Sequence, residues 1–156
     1  MEKIEFMHRA IELSNIAIQS GKGGPFGCVI VKDGKIVGEG YNQVTSINDP
    51  TAHAEVVAIR NACNNLNTFQ LDGCEVYTSC EPCPMCLGAI YWARPSKIYY
   101  ANTREDAARI GFDDSFIYDE IPLDMNSRKI PMIALGRNDA NSVFEAWKNM
   151  EDKIEY

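Results

Sequence analysis

Glu75-Val76-Tyr77-Thr78-Ser79, then Cys80-Glu81-Pro82-Cys83-Pro84-Met85-Cys86, then a run through Leu87, Ile90 and Tyr91, then Lys97-Ile98-Tyr99-Tyr100: this stretch decides the fold. Glu75 to Ser79 predicts a strand, a short run rich in β-branched and aromatic side chains. Pro82 and Pro84 announce a helix, because a first turn tolerates proline. Lys97 to Tyr100 predicts a second strand. Toward the N-terminus, Asp49-Pro50-Thr51 reads as another helix start, followed by an apolar face of Val56, Ile59, Cys63 and Leu66. Before it, Phe26 to Val31 and Ile36 to Tyr41 read as strands joined at Asp33-Gly34, a strong hairpin signal. Phe6, Ala10, Leu13 and Ala17 mark an opening amphipathic helix that ends near Gly21.

Toward the C-terminus, Thr103-Arg104-Glu105-Asp106 has the form of a capping box, and Gly111 closes the short helix it starts. Met132 to Leu135 is a candidate further strand, and Val143, Trp147, Met150 and Ile154 fit a final helix. Strands alternating with helices predict an α/β class protein. The expected architecture is three layers, α/β/α, with a central mixed sheet of about five strands and helices on both faces. Only the first strand pair must be antiparallel, since its link is too short for a crossover. The 156 residues fit one domain spanning 1–156.

With 46% apolar and 24% charged residues, the chain has a globular rather than a disordered composition. The opening Met-Glu-Lys-Ile-Glu lacks the apolar core of a signal peptide. No apolar run is long enough to span a bilayer. The expectation is a cytoplasmic protein without a membrane partner. The six cysteines are then core fillers, metal ligands or reactive thiols rather than disulfides. Lys and Arg number 15 against 22 Asp and Glu, a net charge of −7. Such a charge disfavours a nucleic-acid partner, whose phosphates must be neutralised on binding.

His53, Cys83 and Cys86 each fall at the start of a predicted helix. Imidazole and thiolate are zinc ligands, Cys-x-x-Cys lets one helical turn supply two of them, and a helix N-terminus favours the thiolate form. Three protein ligands leave a fourth place for water, the mark of a catalytic zinc, and such water ionises near pH ~7. Glu55, two residues past His53, can reach that water and move protons without ligating the metal. Other readings stay open. Cys80 with Cys83 and Cys86 forms an iron–sulfur-like run, although position 90 is Ile. Cys80 could close the zinc site as a fourth ligand, and a redox Cys-x-x-Cys is a third option. Cys28, Cys63 and Cys74 read as core residues.

His53-x-Glu55 with Pro82-Cys83-x-x-Cys86 matches the zinc-dependent nucleobase deaminase signature. From Phe26 to about Tyr100 the chain resembles the cytidine deaminase-fold family, and within it the bacterial guanine deaminases. That closer likeness rests on Gly23-Gly24-Pro25-Phe26-Gly27, Asn48 to Glu55, Tyr77 to Cys83, Ala89 to Pro95, Gly111 to Tyr118 and the closing Glu155-Tyr156. The resemblance implies hydrolysis of guanine to xanthine and ammonia with one catalytic Zn2+ per subunit. It implies that Glu55 and Asp114 are catalytic, and that Asn42, Phe26, Ala54, Trp92, Asp114 and Tyr156 bind the purine. It also implies a homodimer in which the segment from about 140 to 156 is exchanged onto the partner subunit.

The residues themselves leave these roles open. Asn42 is equally a turn asparagine, and Asp113 or Asp114 equally a helix N-cap. Phe26 and Trp92 could sandwich a flat ring, but aromatics beside strands are more often core. Asp113-Asp114 suits guanine, whose adjacent N–H donors a carboxylate can accept, better than cytosine. A tRNA adenosine deaminase or a cytosine or cytidine deaminase would use the same zinc chemistry, and a non-catalytic zinc-stabilised module would give Glu55 no task.

Overall fold

The computed structural model describes residues 2–156. Its elements are α1 (Lys3–Gln19), β1 (Gly27–Lys32), β2 (Lys35–Tyr41), α2 (Val44–Ile47), α3 (Ala54–Leu66), β3 (Cys74–Cys80), α4 (Pro84–Ala93), β4 (Lys97–Asn102), α5 (Arg104–Arg109), α6 (Ser115–Glu120), a 3-10 turn (Met125–Ser127) and α7 (Arg137–Asn149). They fall into two compact units, Met1–Asp114 and Ser115–Tyr156.

The first unit is built on a sheet of order β2-β1-β3-β4. β1 runs antiparallel to both β2 and β3, joined to β2 across Asp33-Gly34 with both residues at positive φ. β3 and β4 are parallel, and the crossover that parallel neighbours require is α4. Period-two alternation divides the core. Val29, Val31 and Tyr77 pack with Phe6, Met7, Ala10 and Leu13 of α1 on one face. Cys28, Ile30, Cys74 and Val76 pack with Ala54, Ala58 and Ala62 of α3 and with Ile90 and Ala93 of α4 on the other. Helices therefore cover both faces, as the α/β reading predicts.

Small residues set how closely α3 lies. A Cβ at Gly38 would stand 2.6 Å from the Ala62 Cβ and 2.7 Å from the Ala58 carbonyl oxygen. One at Gly40 would stand 2.6 Å from the Ala58 nitrogen and collide with the Ala54 carbonyl. Only glycines facing alanines let strand and helix approach this far.

Five details differ from the sequence reading. The sheet has four strands, not five. Met132–Leu135 forms no strand and is open to solvent, with Ile133 86% and Leu135 97% exposed. An apolar quartet behind Pro131, which has no N–H to donate, needs a paired neighbour to become a strand. α3 begins at Ala54, after the predicted start. Asp49 instead closes a turn, its Oδ1 accepting from the Thr51 N–H at 2.8 Å and the Thr51 hydroxyl at 2.6 Å. The most buried stripe of α3 is Ala54, Glu55, Ala58 and Ala62, with Ile59, Cys63 and Leu66 at its margin. α7 ends at Asn149, so Met150 and Ile154 fall beyond it.

The second unit holds together locally: Arg128 donates through Nε to the Glu120 carbonyl at 3.1 Å and through Nη2 to that of Ile121 at 2.9 Å. No residue from 115 to 156 is buried. Among the described residues, no helix is long and apolar enough to cross a membrane.

Candidate active site

His53 is the N-cap of α3 and Cys83 the N-cap of α4, with Cys86 in the first turn of α4. The start of α4 follows directly from the sheet, since β3 ends at Cys80 and the rigid Pro82-Cys83-Pro84 segment turns the chain into the helix, whereas α3 starts beyond β2 and α2. The His53 Nδ1 lies 3.5 Å from the Cys83 Sγ and 3.4 Å from the Cys86 Sγ. A tetrahedral zinc with Zn–S of about 2.3 Å and Zn–N of about 2.0 Å places its nitrogen and sulfur donors about 3.5 Å apart. The donor set therefore fits one zinc ion, with Nδ1 as the ligating nitrogen.

The electrostatics favour a cation. The hydrogen bond from Cys86 first, and then that with His53, pull the Cys83 thiol down to about 4 against the opposing effect of burial. The same sharing pushes the Cys86 thiol upward, so without a metal one proton serves the pair. His53 is raised, chiefly by its bond to Cys83. Cys80 stands apart: its Sγ points at the Thr103 carbonyl, 3.6 Å away, and burial pushes its thiol up to about 11. The cluster of metal-ligating side chains within mutual reach contains His53, Cys83 and Cys86 and omits Cys80. This removes both the fourth-ligand and the iron–sulfur readings.

Glu55 lies in the first turn of α3 and is only 6% exposed. Burial raises its carboxyl pKa, opposed partly by the Thr78 hydroxyl, which lies 3.0 Å from its Oε1. A buried carboxylate beside a set of metal-ligating side chains is suited to accept and return a proton.

The predicted substrate residues fall at several places in the fold. Asn42 is buried, and its Oδ1 accepts from the backbone N–H groups of Gly24 at 3.3 Å and Val44 at 3.1 Å. With the oxygen committed, what Asn42 has left to offer a ligand is its Nδ2 donor pair. Phe26 is half-buried and meets Phe112 edge-on, with ring centroids 5.0 Å apart. Ala54 is fully buried against Gly40. Asp114 pairs with Arg104, Oδ1 to Nε 3.7 Å, and the charge on Cys83 is among the influences on its carboxyl. Trp92 is not brought to the cluster: it is 64% exposed at the far end of α4, about 9 Å of helix rise beyond Cys86. Tyr156 is 70% exposed and belongs to the second unit.

Residues 1–102 match the cytidine and deoxycytidylate deaminase zinc-binding region. The chain belongs to this family of zinc-dependent deaminases. This deaminase is 57% identical to the guanine deaminase of Bacillus subtilis over 151 residues, 97% of each chain. The crystal structure of a Bacillus subtilis guanine deaminase superposes with a TM-score of 0.97 at 56% identity, covering 100% of this chain and 99% of that one. A tRNA-specific adenosine deaminase of Aquifex aeolicus is 42% identical over 101 residues, 65% of this chain and 66% of its own.

Two residues of the deaminase site escape the sequence reading. Thr78 lies on the β3 face shared by Cys74 and Val76, and a hydroxyl placed among apolar neighbours at period two is the signal that marks it. Arg104 is legible only as part of a capping box; its reach to Asp114 is a contact across ten residues that no local pattern announces.

Proposed function

We propose that this chain hydrolyses guanine to xanthine and ammonia, working on the free base. The carrying observation is the pairing of a zinc-ligating trio with the buried Glu55. Guanine is favoured because the likeness to guanine deaminase combines 57% identity with 97% of the chain, whereas tRNA-specific adenosine deaminases reach 42% over 65% of it or 31% over 92%. A net charge of −7 also disfavours a tRNA partner.

His53, Cys83 and Cys86 would hold the zinc, which when bound supplies a Lewis acid that makes water acidic enough to ionise near neutral pH. The rest falls to the chain's own groups. Glu55 takes the proton from the attacking water and passes it to the ring nitrogen beside the carbon that bears the exocyclic amine. A C–O bond forms at that carbon, and Glu55 then carries the remaining proton of the added hydroxyl to the departing amine as the C–N bond breaks and the carbonyl forms. Thr78 keeps the carboxylate aimed while it does so. Asn42 donates through Nδ2 to a purine acceptor, and Asp114 accepts from the N–H donors of the amine. Phe26 and Ala54 line the ring and form one side of an enclosure that excludes water.

Part of that enclosure comes from a second subunit in this reading. The Ser115–Tyr156 unit buries none of its side chains, although it carries Phe144 75% and Leu135 97% exposed. A protein that leaves this much apolar surface open covers it in an assembly, and exchange of the C-terminal segment between two copies accomplishes that. The setting is the cytoplasm, where thiols such as these stay reduced.

The test is a panel of guanine, adenine, cytosine, cytidine and tRNA offered to zinc-replete protein, with ammonia release as the readout. Guanine should be turned over and should yield xanthine. Turnover restricted to adenosine in tRNA would remove guanine from the account, and no turnover of any of them would remove the enzyme. Sedimentation of the full chain should give a dimer; a monomer at micromolar concentration would reject the exchange.

A further inference from the structure

Arg104 joins two parts of the site that the sequence keeps apart. It is the first residue of α5, and its backbone N–H donates to the Glu81 Oε2 at 2.9 Å. The Glu81 N–H in turn donates to the Asn102 carbonyl at 2.8 Å, and the Cys80 thiol faces the Thr103 carbonyl. The start of α5 is thus clipped to the loop that leads into the ligand Cys83. That start is itself held firm, the Thr103 N–H donating to the Asp106 Oδ2 at 2.9 Å in the capping box. From this anchored base the Arg104 side chain turns to Asp114, its Nε 3.7 Å from Oδ1. Both side chains are largely shielded, 33% and 17% exposed.

Resting on guanine deamination as the activity, we propose that Arg104 is a positioning residue, which ties the metal-ligand loop to Asp114 and presents that carboxylate to the amine of the substrate. A carboxylate at the end of a loop can rotate and recede, and one paired with a guanidinium carried on an anchored helix start is less free to do so. The arrangement also preserves the form in which Asp114 is useful. Burial pushes its carboxyl toward the protonated form, as do the charges of Cys83 and Asp113, and Arg104 is the largest opposing influence. Protonated, the group would present a donor where guanine also presents donors, and the two would repel. A surface ion pair contributes little, but here it selects which oxygen faces the ligand.

Arg104→Gln tests this, with Arg104→Lys as the conservative control. The KM for guanine should rise about tenfold in Arg104→Gln while kcat stays within about threefold, because a contact shared by ground and transition states is weakened. Arg104→Lys, which keeps the charge, should recover most of the loss. Zinc content and melting temperature should match the parent in both. Affinity for guanine is then read by calorimetry in the Glu55→Gln background, where turnover does not interfere. There Arg104→Gln should weaken binding about tenfold beside Asp114 but less than about twofold beside Asp114→Asn, since coupled residues are non-additive.

An unchanged KM in Arg104→Gln would overturn the proposal, as would a full effect persisting beside Asp114→Asn. Loss of zinc or of folding in both Arg104 variants would overturn it in favour of a structural staple. A parent enzyme that ignores guanine would fail the underlying reading, and this proposal with it. A parent that deaminates guanine while Arg104→Gln is indifferent would fail the proposal alone.

Discussion

Gly40→Ala should damage the metal centre without touching a ligand. Its new methyl would sit 2.6 Å from the Ala58 nitrogen and 3.0 Å from the Val57 Cβ, and would collide with the Ala54 carbonyl. Ordinary contact begins near about 3.5 Å, so the first turn of α3 must retreat by about 1 Å. Backbone atoms cannot rotate out of the way as a side chain can. Overpacking of this kind costs about 1–3 kcal/mol, and the reduced freedom of the unfolded chain gives back about 0.5–1 kcal/mol. A net loss of about 1 kcal/mol lowers the melting temperature by about 2–4 °C in a chain of this size. The displaced turn carries His53 and Glu55. Its Nδ1 stands 3.5 and 3.4 Å from the two sulfurs, already at the separation a zinc ion requires. A retreat of about 1 Å spoils that spacing, and zinc affinity should fall by at least about tenfold.

Gly38→Ala supplies the control. Its methyl would meet the Ala62 Cβ at 2.6 Å and the Ala58 carbonyl oxygen at 2.7 Å, a clash of similar severity one to two turns further along the same helix. It should cost similar stability but less zinc affinity. Calorimetric melts, competition with a chromogenic chelator and guanine turnover measure the three quantities. Equal zinc affinities in the two variants would refute the claim that closeness at Gly40 sets the ligand spacing. A Gly40→Ala protein as stable as the parent would refute the packing argument itself.

Three further outcomes follow from the same geometry. Glu55→Gln should retain zinc and fold but lose about 10²–10⁴ in kcat, the contribution of a positioned acid–base group; metal content and steady-state rates decide it, and undiminished turnover would leave the carboxylate without a role. Thr78→Val, nearly isosteric, removes a donor to a buried carboxylate and should cost about 1.5–3 kcal/mol in thermal or denaturant unfolding while leaving bound zinc unchanged. Dialysis against a strong chelator should abolish activity and lower the melting temperature, and stoichiometric zinc should restore both; retained activity in demonstrably metal-free protein would exclude the metal from catalysis.

What the sequence makes legible here is chemistry that depends on neighbours along the chain. Pro82 and Pro84 start α4, Asp33-Gly34 turns β1 into β2, Thr103 and Asp106 cap α5, and His53, Cys83 and Cys86 announce a metal, because each signal completes itself within a few residues. The apolar run Met132–Leu135 misleads for the complementary reason. A strand is defined by a hydrogen-bonded partner that the run itself does not contain, and the described structure pairs it with none. The contacts that bring the metal trio into register are likewise non-local and made by unremarkable residues. Ala54, Ala58 and Ala62 carry no motif, yet with Gly38 and Gly40 they decide how closely α3 lies on β2. The hydroxyl of Thr78 and the guanidinium of Arg104 gain meaning only when Glu55 and Asp114 arrive beside them. The ligands specify which ion and which reaction, and the small residues specify where the ligands stand. A change of a few atoms at Gly40 should therefore be felt at the metal as strongly as a change in chemistry one shell closer.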